Sequence, residues 1–114
     1  MSSTIDVLGY ALSALSAQRQ VLAGNIANDQ TPGYVSRTYS FESSLRAALG
    51  SSAPSTVTPA AGLSAAPAGP NGNNVDLTQE LSKLSSNDLQ AQAVVNALNI
   101  QFRILRGSMG GGFQ

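Results

Sequence analysis

Two stretches of the chain carry apolar residues at alternating spacings of three and four. In the first, Ile5, Leu8, Leu12, Leu15, Leu22 and Ile26 trace a stripe that only Arg19 interrupts. In the second, Leu77, Leu81, Leu84, Ala91, Val95, Leu98, Phe102, Leu105 and Met109 trace another, interrupted by Asp88. This spacing holds a stripe on one side of a helix and suits packing along a partner helix. The pattern predicts a first helix over residues 1–30, capped by Ser3 or Thr4, and a second over 76–107. Asp76 lies three residues ahead of Gln79, the arrangement of a capping box, and its charge complements the helix dipole. Gly107 and the run Gly110-Gly111-Gly112 are expected to end that helix and leave a flexible tail over 108–114.

Between the helices the pattern changes twice. Thr31-Pro32-Gly33-Tyr34 predicts a tight turn, because Pro32 lacks an amide hydrogen and Gly33 tolerates the positive φ of a type II turn. Asn25, Asn28 and Asp29 stand beside it, with short side chains able to satisfy backbone groups that a helix end leaves open. Residues 31–50 read as this corner, a short extended segment from Val35 and a short helix on which Phe41, Leu45 and Leu49 share a face and Gly50 ends the run. Residues 51–75 are rich in Pro, Gly, Ser and Ala with few large apolar side chains, and are expected to be a flexible loop. The fold class expected is all-α: two long terminal helices paired as an antiparallel coiled-coil-like hairpin, with the short segments and the flexible insert between them. In that pairing Arg19 and Asp88, the polar positions of the two stripes, become a candidate register pair, bringing Ile5 toward Phe102 and Ile26 toward Leu81.

Composition removes most chemistry from consideration. The chain of 114 residues has no net charge, and its six basic residues are scattered, so no footprint for nucleic acid is present. Cysteine and histidine are both absent, which removes the thiol nucleophile, the usual general base and the main transition-metal ligands. Asp76 and Glu80 share a helix face, yet capping explains their place without catalysis. Asp29 with Asn25 and Asn28 lacks the bidentate glutamate that a calcium loop requires. No enzyme activity, cofactor, metal or small-molecule substrate is expected. No run of about 18 apolar residues offers a membrane span, and no basic region followed by an apolar core marks a cleaved signal. What the pattern does ask for is partners, since two helices alone bury one stripe each and the second is apolar beyond its stripe at Val94, Ile100 and Ile104.

The order of residues adds a resemblance. The apolar stripe followed by Ala17-Gln18-Arg19, Leu22-Ala23-Gly24-Asn25-Ile26-Ala27-Asn28 and Thr31-Pro32-Gly33-Tyr34 is similar to the amino-terminal signature of the bacterial flagellar rod and hook proteins. Ser40-Phe41-Glu42 and the run from Asn73 to Ala93 resemble a member of the proximal rod. Ala91 departs from the aromatic residue expected nearby in many relatives. The resemblance implies a structural subunit of the basal body that assembles helically, transmits torque and surrounds the export channel. It implies export through the flagellar type III apparatus into the periplasmic rod. The partners it implies are copies of the chain, other rod proteins (FlgC-like and FlgF-like), the rod-to-ring junction protein (FliE-like) and the membrane ring or export gate. The alternatives are another rod protein of the FlgC type or a small coiled-coil adaptor of a secretion system.

Overall fold

The computed structural model describes residues 2–50 and 61–110. Helix α1 spans Ser2–Ala27, strand β1 Arg37–Tyr39, helix α2 Phe41–Leu49, strand β2 Ala61–Leu63 and helix α3 Leu77–Gly110. The described chain is mostly helical, and the two long helices lie against each other in a body 67 Å long. Asn25 meets Glu80 across the pair, while Leu15 and Gln18 meet Asn87. Arg19 and Asp88 are in contact as an ion pair at the exposed edge of this interface, not within its buried stripe.

Local chemistry accounts for most helix ends. Beyond Ala27 the Asn28 amide still bonds Gly24, at 3.1 Å, but Pro32 has no amide to give and the chain turns. Ser40 caps α2 by accepting the Ser43 amide at 3.2 Å, and Asp76 caps α3 by accepting the Gln79 amide at 3.2 Å. Two expected boundaries fail. α1 already includes Ser3 and Thr4, so neither caps it, and α3 runs through Gly107 to Gly110. A glycine in a helix costs about 1 kcal/mol relative to alanine, which weakens α3 there without ending it. The expected flexible tail therefore starts too early, and residues 111–114 lie outside the described residues.

The expected flexible loop over 51–75 is corrected in its second half. β2 pairs antiparallel with β1, with Arg37 opposite Leu63, Thr38 opposite Gly62 and Tyr39 opposite Ala61. Residues 64–75 then follow a fixed path back to α3, bonded to the corner at several points. Composition misled here because the ordering comes from backbone and asparagine hydrogen bonds rather than from apolar burial. Residues 51–60 lie outside the described residues.

The core sits where α1, α2 and β1 meet. Tyr10, Ala11, Ala14 and Leu15 of α1 bury Phe41 and Ala48 of α2, with Tyr39, Leu45, Ala91 and Val94 closing over them. Small residues let the helices approach closely, and this decides the face α2 presents. Its buried residues are Phe41, Ser44 and Ala48, whereas Leu49 of the expected face is 62% exposed.

Candidate functional site

The site is the corner where α1 ends, β1 begins and α3 starts, and it is built from asparagine. Asn25 is fully buried, and all four of its hydrogen-bonding positions are used. Its Nδ2 donates to the Arg37 carbonyl at 2.8 Å and to Glu80 Oε2 at 3.1 Å. Its Oδ1 accepts the Arg37 amide at 2.9 Å and the Tyr34 hydroxyl at 3.0 Å. One side chain thus ties the last turn of α1 to the first residue of β1, to the turn and to α3. Glu80, a carboxylate only 4% exposed, takes a second partner in Lys83, whose Nζ stands 4.0 Å from Oε1. Burying such groups is costly unless they are satisfied, so a polar cluster of this kind tolerates one arrangement.

The turn itself is held from both sides. The Tyr34 amide bonds the Thr31 carbonyl at 3.2 Å, and Gly33 has φ 73°, the positive value expected at its position. Asn28 Nδ2 donates to the Gly24 carbonyl at 2.8 Å, and its Oδ1 accepts the Thr31 hydroxyl at 3.0 Å. Asp29 lies at the rim, where Gln30 Nε2 reaches its carboxylate at 3.4 Å. Over this turn lies the strap of residues 64–75. Asn73 Nδ2 donates to the carbonyls of Asn28 and Thr31, each at 2.7 Å. Asn74 Oδ1 accepts the Ser36 amide at 2.6 Å, and the Gly33 amide bonds the Asn71 carbonyl at 2.8 Å. Gly72, with φ 79°, packs so close that a Cβ there would stand 3.3 Å from Gly33 Cα.

The predicted corner residues Asn25, Asn28, Asp29, Thr31, Pro32, Gly33 and Tyr34 thus all belong to this one structure. Four others were missed. Asn73 and Asn74 fall at the end of the expected flexible loop, Glu80 on a first-turn face that capping explains, and Asn87 carries no expectation of its own. Asn87 is 1% exposed and donates to the Leu15 carbonyl and Gln18 Oε1, both at 2.8 Å. The signal that could have found the asparagines is their recurrence at the end of α1, just before α3 and again about three turns inside α3; nothing comparable marks Glu80.

The helix stripes need a correction. On α1, Leu15 and Leu22 are buried and Ile5, Leu8, Leu12 and Ile26 are partly so. On α3 the less exposed positions are Glu80, Leu84, Asn87, Ala91, Val94, Leu98, Gln101 and Leu105, with Asp88 and Ala97 beside them. This shares Leu84, Ala91, Leu98 and Leu105 with the predicted stripe. At each alternate step, however, it takes the preceding neighbour. Leu77, Leu81, Val95 and Phe102 are consequently left outside, at 40–47% exposure, together with Leu89, Ile100 and Ile104. Alternating three and four spacing fits two overlapping stripes, and the polar pins Glu80 and Asn87 select the one that apolar counting passes over.

Among the described residues no group of three His, Cys, Asp or Glu could hold a metal ion, and no helix is long and apolar enough to cross a membrane. No protein-family model matches the chain. The chain is 33% identical to the flagellar basal body rod protein FlgB of Bacillus subtilis, over 97% of its own length and 96% of the relative's. It is 36% identical to the FlgB proteins of Escherichia coli and of Shigella flexneri, over 78% of this chain and 80% of each relative.

Proposed function

This chain belongs to the family of the flagellar basal body rod protein FlgB, and from that premise we propose that it is a structural subunit of the proximal rod. It acts by assembly and not by catalysis. α1 and α3 run antiparallel as a coiled-coil-like hairpin; the order of contacts, Asn25 with Glu80 and then Gln18 with Asn87, supports this reading. The subunits stack helically around the export channel and transmit torque along the rod. Repeated contacts between unlike surfaces, which do not close on themselves, generate such an array.

The observation that carries the proposal is the apolar stripe left open on α3. Leu81, Val95 and Phe102 flank the face of α3 that packs against α1 and stay 40–47% exposed, a stripe that other chains would cover. The partners proposed are further copies, rod proteins of the FlgC and FlgF type, a junction protein of the FliE type, and the membrane ring or export gate. The site of action is the periplasmic part of the basal body, reached by export without a cleaved signal. Arg19 and Asp88 act as a register pair on the rim of the hairpin, and the corner around Pro32 sets the angle between the paired helices and the outer segment.

The test is electron microscopy of cell envelopes from the source bacterium with the gene deleted, scored with swimming. Membrane rings without rod or hook, restored by the intact protein but not by the double change Pro32→Ala with Gly33→Ala, are the expected result. Normal rods and swimming in the deletion strain overturn the proposal.

A further inference from the structure

We propose that Asn71 is a modification site: it converts spontaneously to aspartate and isoaspartate, and the closed strap holds this reaction in check. Asn71 alone among the chain's asparagines precedes a glycine. Glycine is the neighbour that least hinders attack by the following backbone nitrogen on the side-chain carbonyl, since it has no Cβ and wide conformational freedom.

The atoms balance without any oxidant or reductant. The Gly72 nitrogen forms a bond to Asn71 Cγ, the Cγ–Nδ2 bond breaks, and ammonia leaves with the proton lost from the Gly72 amide. Water then opens the five-membered imide at one of its two carbonyls and returns a proton to the Gly72 nitrogen. Opening at one carbonyl gives aspartate; opening at the other gives isoaspartate, whose main chain runs through Cγ.

The geometry both prepares and restrains this reaction. Asn71 is exposed, and its Nδ2, the leaving group, donates to nothing among the described residues. Its Oδ1 accepts the Asn73 amide at 3.1 Å, which polarises the carbonyl under attack. The nucleophile is what the fold withholds: the Gly72 amide is bonded to the Gly69 carbonyl at 2.9 Å. The Asn71 carbonyl is tied to the Gly33 amide, and Gly72 is pressed on Gly33, so the strap cannot rotate to bring nitrogen and carbon together while it is closed. The other asparagines of the corner all have their side-chain amides engaged. Reaction therefore tracks the time the strap spends open. Once formed, isoaspartate lengthens the main chain by one atom and adds a negative charge where Gly33 leaves no slack, so the strap no longer closes over the turn.

The test is peptide mapping by mass spectrometry of the full chain, incubated folded, incubated in denaturant, and as the variant Asn73→Ala. Asn73→Ala removes the two bonds to the Asn28 and Thr31 carbonyls and leaves Asn71-Gly72 untouched. The expected result is modification at Asn71 ahead of every other asparagine in denaturant, and at least about tenfold slower in the folded chain, because only the open fraction reacts. Asn73→Ala with its helix signal intact should recover much of the denatured rate. If that variant loses its helix signal, Asn74→Ala, which frees the Ser36 amide, serves in its place. Equal rates in the folded and denatured chains, or a faster reaction at another asparagine in denaturant, overturn the proposal.

Discussion

The two ends of the paired helices are held by different physics. At the corner and about two turns along the pair from it, polar side chains are buried and hydrogen-bonded: Asn25, Glu80 and Asn73, then Asn87, are each 7% exposed or less, and each bonds to another segment of the chain. Toward the other end, α3 carries Val95, Ile100, Phe102 and Ile104 on its open side, each 40% exposed or more. The directional end fixes a geometry, because a hydrogen bond lost in a dry site leaves both groups unpaired. The apolar end fixes little by itself and stays available, because apolar contact is indifferent to its partner. A subunit built to join an assembly profits from both, a corner that does not depend on neighbours and a helix that does.

The contrast can be broken most severely at Asn25. Asn25→Ala strips four bonds from a closed site and leaves the Glu80 carboxylate and both Arg37 backbone groups short of partners. A loss of about 3 kcal/mol or more is expected in chemical denaturation. Asn87→Ala removes two bonds from a single level of the helix pair and should cost about 2 kcal/mol in the same measurement. Gly33→Ala keeps every side chain of the corner but forces a Cβ onto a residue at φ 73°, for an expected loss of about 1 kcal/mol. At the open end, Phe102→Ser should change the stability of the isolated chain by less than about 0.5 kcal/mol, as exposed positions do. That last variant sharpens the contrast: rods should fail to form in cells while the chain itself folds normally.

How far the sequence reveals this division depends on the kind of force involved. Thr31-Pro32-Gly33-Tyr34 was readable because proline and glycine restrict the backbone wherever they stand, whatever surrounds them. The long helices were readable from their spacing, and so were the half of the α3 stripe at Leu84, Ala91, Leu98 and Leu105. Its other half was not, because Leu81 outranks Glu80 and Phe102 outranks Gln101 in any count of apolar residues while Val94 and Val95 tie, and only the α1 partners of Glu80 and Asn87 decide the order. The same error recurs on α2, where Leu49 gave way to Ser44 and Ala48 for want of room. The strap was illegible for a related reason. Asn73 and Asn74 find their partners some 40 residues away in sequence, and a Pro, Gly, Ser and Ala composition records no trace of a long-range bond.

Hydrogen exchange on the isolated chain tests the division most directly. The amides of Gly33, Ser36 and Arg37, which bond to Asn71, Asn74 and Asn25, should be among the slowest to exchange, although none lies in a long helix. Those of α3 from about residue 100 onward should exchange far faster, despite regular helical bonding. Slow exchange along all of α3 with a rapidly exchanging corner would contradict the account, and would mean that the helix pair stands without its polar pins.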